Sequence, residues 1–356
     1  MCEISIIIPV YNKRRYLKRT VKLLLEQTFC DYELILIDDG STDGSGPLCD
    51  TLAEADPRVR TIHTKNQGVS AARNLGIRKA AGKYIGFIDG DDTVDKTFLE
   101  KLYAAIEKDA AGLAVCGYSE ISGNSRIARS LETSDMGCEL YDLIRYNVLC
   151  VLWNKLFVRK KIRHPFIENL STAEDSLFCI QYYLDNHPKI AYVYEDLYGY
   201  QKRGDGLTGA LQPQALYGIG KLYQYNMKLL ALLPDVQMKR LAFHHICIVY
   251  FYGIYTFIFE NICSYPKNNP KKKEALAIVA DILQSERYQR CIRYILKYPL
   301  QDKRAEKMTK KQLLYILFSL FGRKREILFL ARLKKSYYIH KGYMKWREKT
   351  GVIKWG

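Results

Sequence analysis

The stretch Tyr84-Ile85-Gly86-Phe87-Ile88-Asp89-Gly90-Asp91-Asp92 decides how this chain is read. Its first five residues are an apolar run set between helical patterns, as expected of a strand buried in a parallel sheet. Carboxylates follow at once, and open α/β sheets bind ligands just beyond the carboxyl ends of their strands. Crowded carboxylates repel one another unless a cation joins them. Oxygen donors of this type suit Mg²⁺ or Mn²⁺, ions that commonly grip phosphate as well. The same residues also fit a helix start, with Asp92 or Thr93 as the N-cap of a helix over 97–108 and acids favoured in its first turn. Both readings stand on these residues alone.

Outward from that stretch, residues 1–120 alternate strand and helix. Strand patterns cover 4–10, 33–37 and 59–63. Between the first two, Tyr16, Leu17, Val21, Leu24 and Leu25 keep helical spacing. A helix follows Ser41, and another spans 69–80. This βαβα order predicts a Rossmann-like α/β sheet, mostly parallel, with helices on both faces. Apolar pieces at 113–117 and 190–194 and a helix starting near Ala173 read as the second half of the same sheet. Residues 211–356 carry helical patterns alone, so the expected organisation is a domain over 1–210 and a helical region over 211–356. The longest apolar stretch there, 246–259, is short of the ~20 residues that span a bilayer.

The hydrophobic fraction of 48% excludes wholesale disorder. Ten cysteines without CxxC or zinc spacing fit reduced thiols in a cytoplasmic protein. The opening Met-Cys-Glu-Ile-Ser runs straight into a strand pattern, and no secretory leader is expected. The net charge of +17 is uneven: residues 211–356 hold 28 Lys and Arg against 9 Asp and Glu, whereas residues 1–210 are close to balanced. An excess so confined points to a polyanionic surface.

Further motifs lie at the same sheet edge. Pro9-Val10-Tyr11-Asn12 ends the first strand; it is ordinary turn punctuation or a nucleotide-base pocket. Asp38-Asp39-Gly40-Ser41-Thr42-Asp43 ends the second, where a carboxylate can cap a helix or bind a base N–H or a ribose hydroxyl. Asn66-Gln67-Gly68-Val69-Ser70-Ala71-Ala72-Arg73-Asn74 opens a helix whose free N–H groups favour phosphate. Its small residues also suit tight packing, and Arg73 either neutralises a diphosphate or forms a salt bridge. Trp153-Asn154-Lys155 and Glu174-Asp175 come later. The acids either satisfy a helix dipole, with Ser171 or Thr172 as cap, or include a general base.

In this order, the motifs resemble the inverting, nucleotide-sugar-dependent family 2 glycosyltransferases of the GT-A fold, particularly the bacterial enzymes of capsular, exopolysaccharide and other surface glycans. The resemblance covers about residues 3–205. It implies that Pro9, Val10, Tyr11, Asn12 and Asp39 hold the nucleoside. Asn66, Gly68 and Arg73 would lie along the nucleotide and diphosphate. Asp89-Gly90-Asp91 would be the DXD motif, with Asp91 as metal ligand, Asp89 touching ribose or metal, and Gly90 as spacer beside the donor. Trp153, Asn154 and Lys155 would shape the sugar and acceptor pocket. Asp175 would be the base, with Glu174 beside it. Arg203 and Thr208 stand in a variant of the family's usual ending.

The resemblance also implies a Mn²⁺ or Mg²⁺ cofactor, a nucleotide-sugar donor, UDP being the commonest carrier, and a glycan or lipid-linked glycan acceptor. It leaves 211–356 unexplained. There Lys and Arg are interleaved with Tyr337, Tyr338, Tyr343, Trp346 and Trp355, which suits docking on an anionic cytoplasmic leaflet. The rival is a helical surface packed on a second copy, giving a homodimer. No nucleic-acid motif accompanies the charge. Two other functions compete. A sugar nucleotidyltransferase would need a Gly-rich, Lys-containing loop where this chain has Tyr11-Asn12-Lys13-Arg14-Arg15. A membrane-docked, glycan-binding scaffold would need no acids, yet all are present.

Overall fold

Strand β1 (Ile4–Val10) carries apolar residues on both alternations, so it is buried from both sides: Ile4, Ile6, Ile7, Ile8 and Val10 are fully buried. Truncating a residue in such a position to alanine costs about 2–5 kcal/mol. In the computed structural model β1 is flanked by β2 (Tyr32–Asp39) and β4 (Tyr84–Phe87), and β3 (Val59–Thr64) lies beyond β2, all in parallel register. The structure describes residues 2–297 apart from 124, 130–139, 141–142, 145–147, 169, 171, 203–214 and 258–269. Ser171, Arg203, Thr208 and the aromatic tail residues named above lie outside the described residues.

The full sheet order is β3-β2-β1-β4-β8-β6-β9-β5. Past β4 the pairing becomes mixed. Strand β8 (Lys155–Val158) is antiparallel to both β4 and β6 (Leu113–Ser122). Strand β9 (Ile190–Gln201) runs parallel to β6, the two-residue β5 (Thr93–Val94) is antiparallel to β9, and β7 (Ser125–Arg129) forms a hairpin on β6. The α/β sheet expected from the sequence is present, parallel in its first half and mixed in its second.

Helices cover both faces. Ile4, Ile6, Ile8 and Val10 share one core with Leu17, Val21 and Leu24 of α1 (Arg14–Leu25) and with Leu99, Leu102 and Ile106 of α4 (Phe98–Lys108). Ile7 points the other way, against α3 (Val69–Lys79). A methyl group on Gly76 of α3 would come within 2.4 Å of the Ile7 side chain, so only glycine lets the helix lie this close to β1. That approach sets Arg73, one turn earlier, at the carboxyl edge of the sheet. Helix α2 (Ser45–Ala55) follows β2.

The helix-cap reading of Asp92 and Thr93 is corrected. Thr93 belongs to β5, α4 begins at Phe98, and Asp95 holds the turn by accepting from the N–H of Thr97 at 2.9 Å.

The described residues divide into two compact units. The first draws on 1–137, 148–169 and 174–206 and contains the sheet, together with α5 (Glu174–Asn186). The second draws on the described residues that lie within 138–147, 170–173 and 207–297 and includes α6 (Ala215–Leu232), α7 (Val236–Thr256), α8 (Pro270–Gln284) and α9 (Glu286–Lys297). Within it Tyr223, Tyr250 and Tyr288 pack together, and Arg287 and Arg290 lie over the rings of Tyr223 and Phe243. Among the described residues no helix is long and apolar enough to cross a membrane.

Candidate active site

The ends of β1, β2 and β4 and the starts of α3 and α5 carry the charged groups. At the end of β1, Val10 turns its side chain into the core, while Tyr11 is exposed. Asn12 takes a left-handed backbone (φ +54°), which asparagine tolerates better than most residues. Its N–H donates to Ser41 Oγ and its Oδ1 accepts from the Thr42 N–H at 2.8 Å, which ties the β1 loop to the β2 loop.

Asp39, at the end of β2, is almost fully buried. Its two oxygens accept the N–H groups of Gln67 and Gly68, each at 2.8 Å. It therefore builds the loop in front of α3, and any bond to a nucleoside would use its remaining lone pairs. Asn66 and Gly68 are exposed on that loop. Gly68 has φ +91°, and a methyl there would meet nothing within 4 Å, so the approach to the helix N-terminus is open.

Arg73 is engaged by carboxylates of the protein itself. Its side chain is 4% exposed and forms the hub of the site. One terminal nitrogen donates to Asp175 Oδ1 at 2.6 Å and lies 3.5 Å from Glu174; the other reaches Asp89 Oδ1 at 3.3 Å. The Phe166 ring backs the guanidinium at 5.5 Å and is itself stacked on Phe178. Asn74, the next residue of α3, clasps the Phe166 backbone from both sides, accepting its N–H at 2.8 Å and donating to its carbonyl at 3.0 Å. The salt-bridge alternative for Arg73 is thus the arrangement found. The buried polar face of α3, with Ser70, Arg73 and Asn74, was the available signal.

The three acids after β4 part company. Asp89 faces Arg73; burial raises its pKa, as do Asp175 and Asp91, against the pull of Arg73 and Lys13. Asp91 accepts from Lys13 Nζ at 2.6 Å. Asp92 turns inward instead. It is 2% exposed, bonded to the Tyr198 hydroxyl at 2.7 Å and the Gln201 N–H at 2.8 Å, and burial and Asp89 push its pKa to about 8. A carboxylate trio at the edge is corrected to a pair. Gly90 is buried between them; a methyl there would make ordinary contact with Leu17 and with Lys13 Cγ at 3.7 Å.

Helix α5 begins with Glu174 and Asp175, directly after Ala173 in a left-handed conformation (φ +68°) that is uncommon outside glycine. Burial raises the Asp175 carboxyl to about 6, with Glu174 acting the same way and Arg73 and Lys155 opposing. The Trp153-Asn154-Lys155 side chains are buried rather than lining an open surface. Trp153 stacks on Tyr198 and Tyr200. Asn154 donates to the Cys116 carbonyl, and the Lys155 ammonium donates to the Val151 carbonyl at 2.6 Å and Asn154 Oδ1 at 2.7 Å. Of the three, Lys155 acts electrostatically on Asp175. Lys13, Asn74, Phe166 and Tyr198 were not singled out from the sequence, because their roles depend on partners tens of residues away.

Among the described residues no group of three or more His, Cys, Asp or Glu side chains is arranged to hold a metal. Asp89 and Asp91 are hard oxygen donors of the kind that would suit a divalent ion such as Mg²⁺.

A family model described as glycosyl transferase family 2 matches residues 5–164. The chain is 32% identical over 216 residues to EpsJ of Bacillus subtilis, named an uncharacterized glycosyltransferase, covering 58% of this chain and 62% of that protein. It is 29% identical over 253 residues to the glycosyltransferase GlyA of Streptococcus pneumoniae serotype 4, covering 67% of this chain and 36% of GlyA. The chain therefore spans less than two thirds of these relatives. Among solved structures, S. aureus TarS 1–349 in complex with UDP-GlcNAc superposes with a TM-score of 0.65 at 17% identity, over 95% of this chain and 92% of that one. The mannosyltransferase PcManGT of Pyrobaculum calidifontis, in complex with GDP-Man and Mn²⁺, gives 0.51 at 15% identity, over 94% and 87%. At these identities the likeness is one of fold, and the fold is of the GT-A type.

Proposed function

This chain belongs to glycosyltransferase family 2, and on that premise we propose that it moves a sugar from a nucleotide-diphosphate donor to a glycan or lipid-linked glycan acceptor. The observation that carries the proposal is one guanidinium, Arg73, joining a DXD carboxylate to a candidate base. The donor we favour is a UDP-hexose or UDP-N-acetylhexosamine, and the TarS complex with UDP-GlcNAc supports a uridine carrier.

The nucleoside is assigned to the loops after β1 and β2, around Pro9, Tyr11 and Asp39. The diphosphate is assigned to the open edge between Gly68 and Asp91. A divalent ion held there by Asp91 and Asp89 would offset the charge of the leaving diphosphate. Arg73 takes Asp175 Oδ1; Oδ2 is the oxygen we assign to the acceptor proton. An acceptor oxygen relieved of that proton attacks the anomeric carbon from the face opposite the leaving group. Such a single displacement inverts configuration, so an α-linked donor gives a β-linked product. A positioned base contributes ~10²–10⁴ in rate. Glu174 raises the basicity of Asp175 at the acceptor side, and the sugar and acceptor pocket is assigned to Trp153, Asn154 and Lys155.

We assign transfer to residues 1–210 and docking to 211–356. The basic excess of 211–356 supports peripheral binding at the cytoplasmic leaflet, where a lipid-linked acceptor of a surface polysaccharide would be presented. Dimerisation through the same region is the alternative. Flotation with anionic liposomes at low salt, lost at high salt, would favour docking; equal recovery in the soluble fraction with neutral and anionic lipid would favour the dimer. The transferase proposal is tested by a screen of nucleotide sugars with Mn²⁺, reading release of the nucleoside diphosphate. Release from one donor, abolished by EDTA, is expected; release from none would refute it.

A further inference from the structure

The two edge carboxylates each carry a cation, but the cations differ in kind. Asp89 is faced by Arg73, a planar fork whose side chain is 4% exposed and which also grips Asp175. Asp91 is faced by Lys13 at 2.6 Å, and here the exposures are 25% for the lysine and 18% for the acid. An ammonium is a hydrated point charge on a flexible stem, whereas a guanidinium bonded to several carboxylates is fixed in place. Besides its bond to Asp91, Lys13 is held at its root. Its N–H donates to Ser45 Oγ at 2.8 Å, and its carbonyl accepts the N–H groups of Tyr16 and Leu17 that open α1. Its stem runs over Gly90, which lies between the two acids and presents no side chain of its own.

We propose that Lys13 is the exchangeable counter-cation of Asp91: it holds this carboxylate in the ligand-free protein and gives it up only when a divalent ion arrives with the donor's diphosphate, whose charge the freed ammonium then meets. The inference rests on the transferase reading. A bare ion must evict Lys13 and leave its charge beside its own, which is unfavourable at such short range. A diphosphate supplies the ammonium with a new partner. Lys13 thereby makes metal binding conditional on the donor.

The test is titration of Mn²⁺, followed by electron paramagnetic resonance of the free ion, into the full chain with and without UDP. It is run for wild type, Lys13→Met, which keeps an unbranched stem over Gly90, and Lys13→Gln, with thermal midpoints recorded as a folding control. The expected result is that both variants bind Mn²⁺ without UDP at least about tenfold more tightly than wild type, because a competing charge is gone. The gain in Mn²⁺ affinity on adding UDP should shrink by a similar factor. Unchanged or weaker Mn²⁺ binding without UDP in a folded variant overturns the proposal, and so does a UDP-dependent gain equal to that of wild type. The arm without nucleotide does not depend on turnover. An unaltered Mn²⁺ affinity alongside normal nucleoside diphosphate release would therefore sink this inference and spare the transferase reading, whereas absence of release from every donor would sink the reading itself.

Discussion

Arg73 donates to Asp175 at 2.6 Å although 102 residues separate them, so α3 and α5 meet at the sheet edge through a single guanidinium. The guanidinium is buried and its acids are partly so, and the same group reaches Asp89. Removing one partner of such a cluster leaves charge buried without compensation.

Arg73→Met should therefore destabilise the protein by about 3–5 kcal/mol, part of it recovered as pH falls and the acids protonate. Arg73→Lys keeps the charge but lacks the fork that joins two carboxylates. It should lose about 10²-fold in transfer with a smaller loss of stability, since a displaced base is costly even when present. Thermal midpoints and steady-state rates of both variants check this. Equal losses of activity and stability in both would reduce Arg73 to a structural role.

The pH dependence follows from Asp175. Burial raises its pKa to about 6, and a base must be ionised to act. Transfer, measured as kcat/KM, should rise with pH through about 6 and level off above it. The limb should shift downward in Glu174→Gln, where the neighbouring charge is gone. A flat profile between pH 5 and 7.5 would exclude Asp175 as the titrating base.

Asp92 gives a stability test independent of activity. Its folded pKa of about 8 lies above that of the unfolded chain, so the folded state holds the proton more tightly. The stability this contributes is complete below about pH 4 and falls as pH rises towards 8, by at most about 1.4 kcal/mol per unit. Asp92→Asn can still accept from Gln201 and pair with Tyr198 but has no such dependence. Relative to wild type it should gain stability progressively from pH 5 to pH 8.5. A constant difference in melting temperature across that range would contradict the assignment.

The parallel half of the sheet was legible because Ile4, Ile6, Ile7 and Ile8 form a run that only a strand buried on both faces can hide. The second half was less so: β5, β7 and β8 have two, five and four residues, too few for periodicity to register. The acids at the strand ends were legible as a group, since ligands gather at that edge of an α/β sheet. Their division of labour was not. Asp92 follows Asp91 directly but turns to Tyr198 on β9, 106 residues later. Lys13 reads as one basic residue in a basic run, and nothing in the run says that its ammonium meets Asp91. Arg73 was placed at the correct edge with two alternatives open, and long-range pairing chose between them.

The central claim, that Asp175 is the base of a nucleotide-sugar transferase, is tested most directly by Asp175→Asn. Nucleoside diphosphate release from the donor identified by screening and UDP affinity by calorimetry are measured together on wild type and variant. The account predicts release reduced by about 10²–10⁴-fold, with UDP affinity within a few-fold of wild type. Release retained in full, or lost only in proportion to UDP binding, would contradict it.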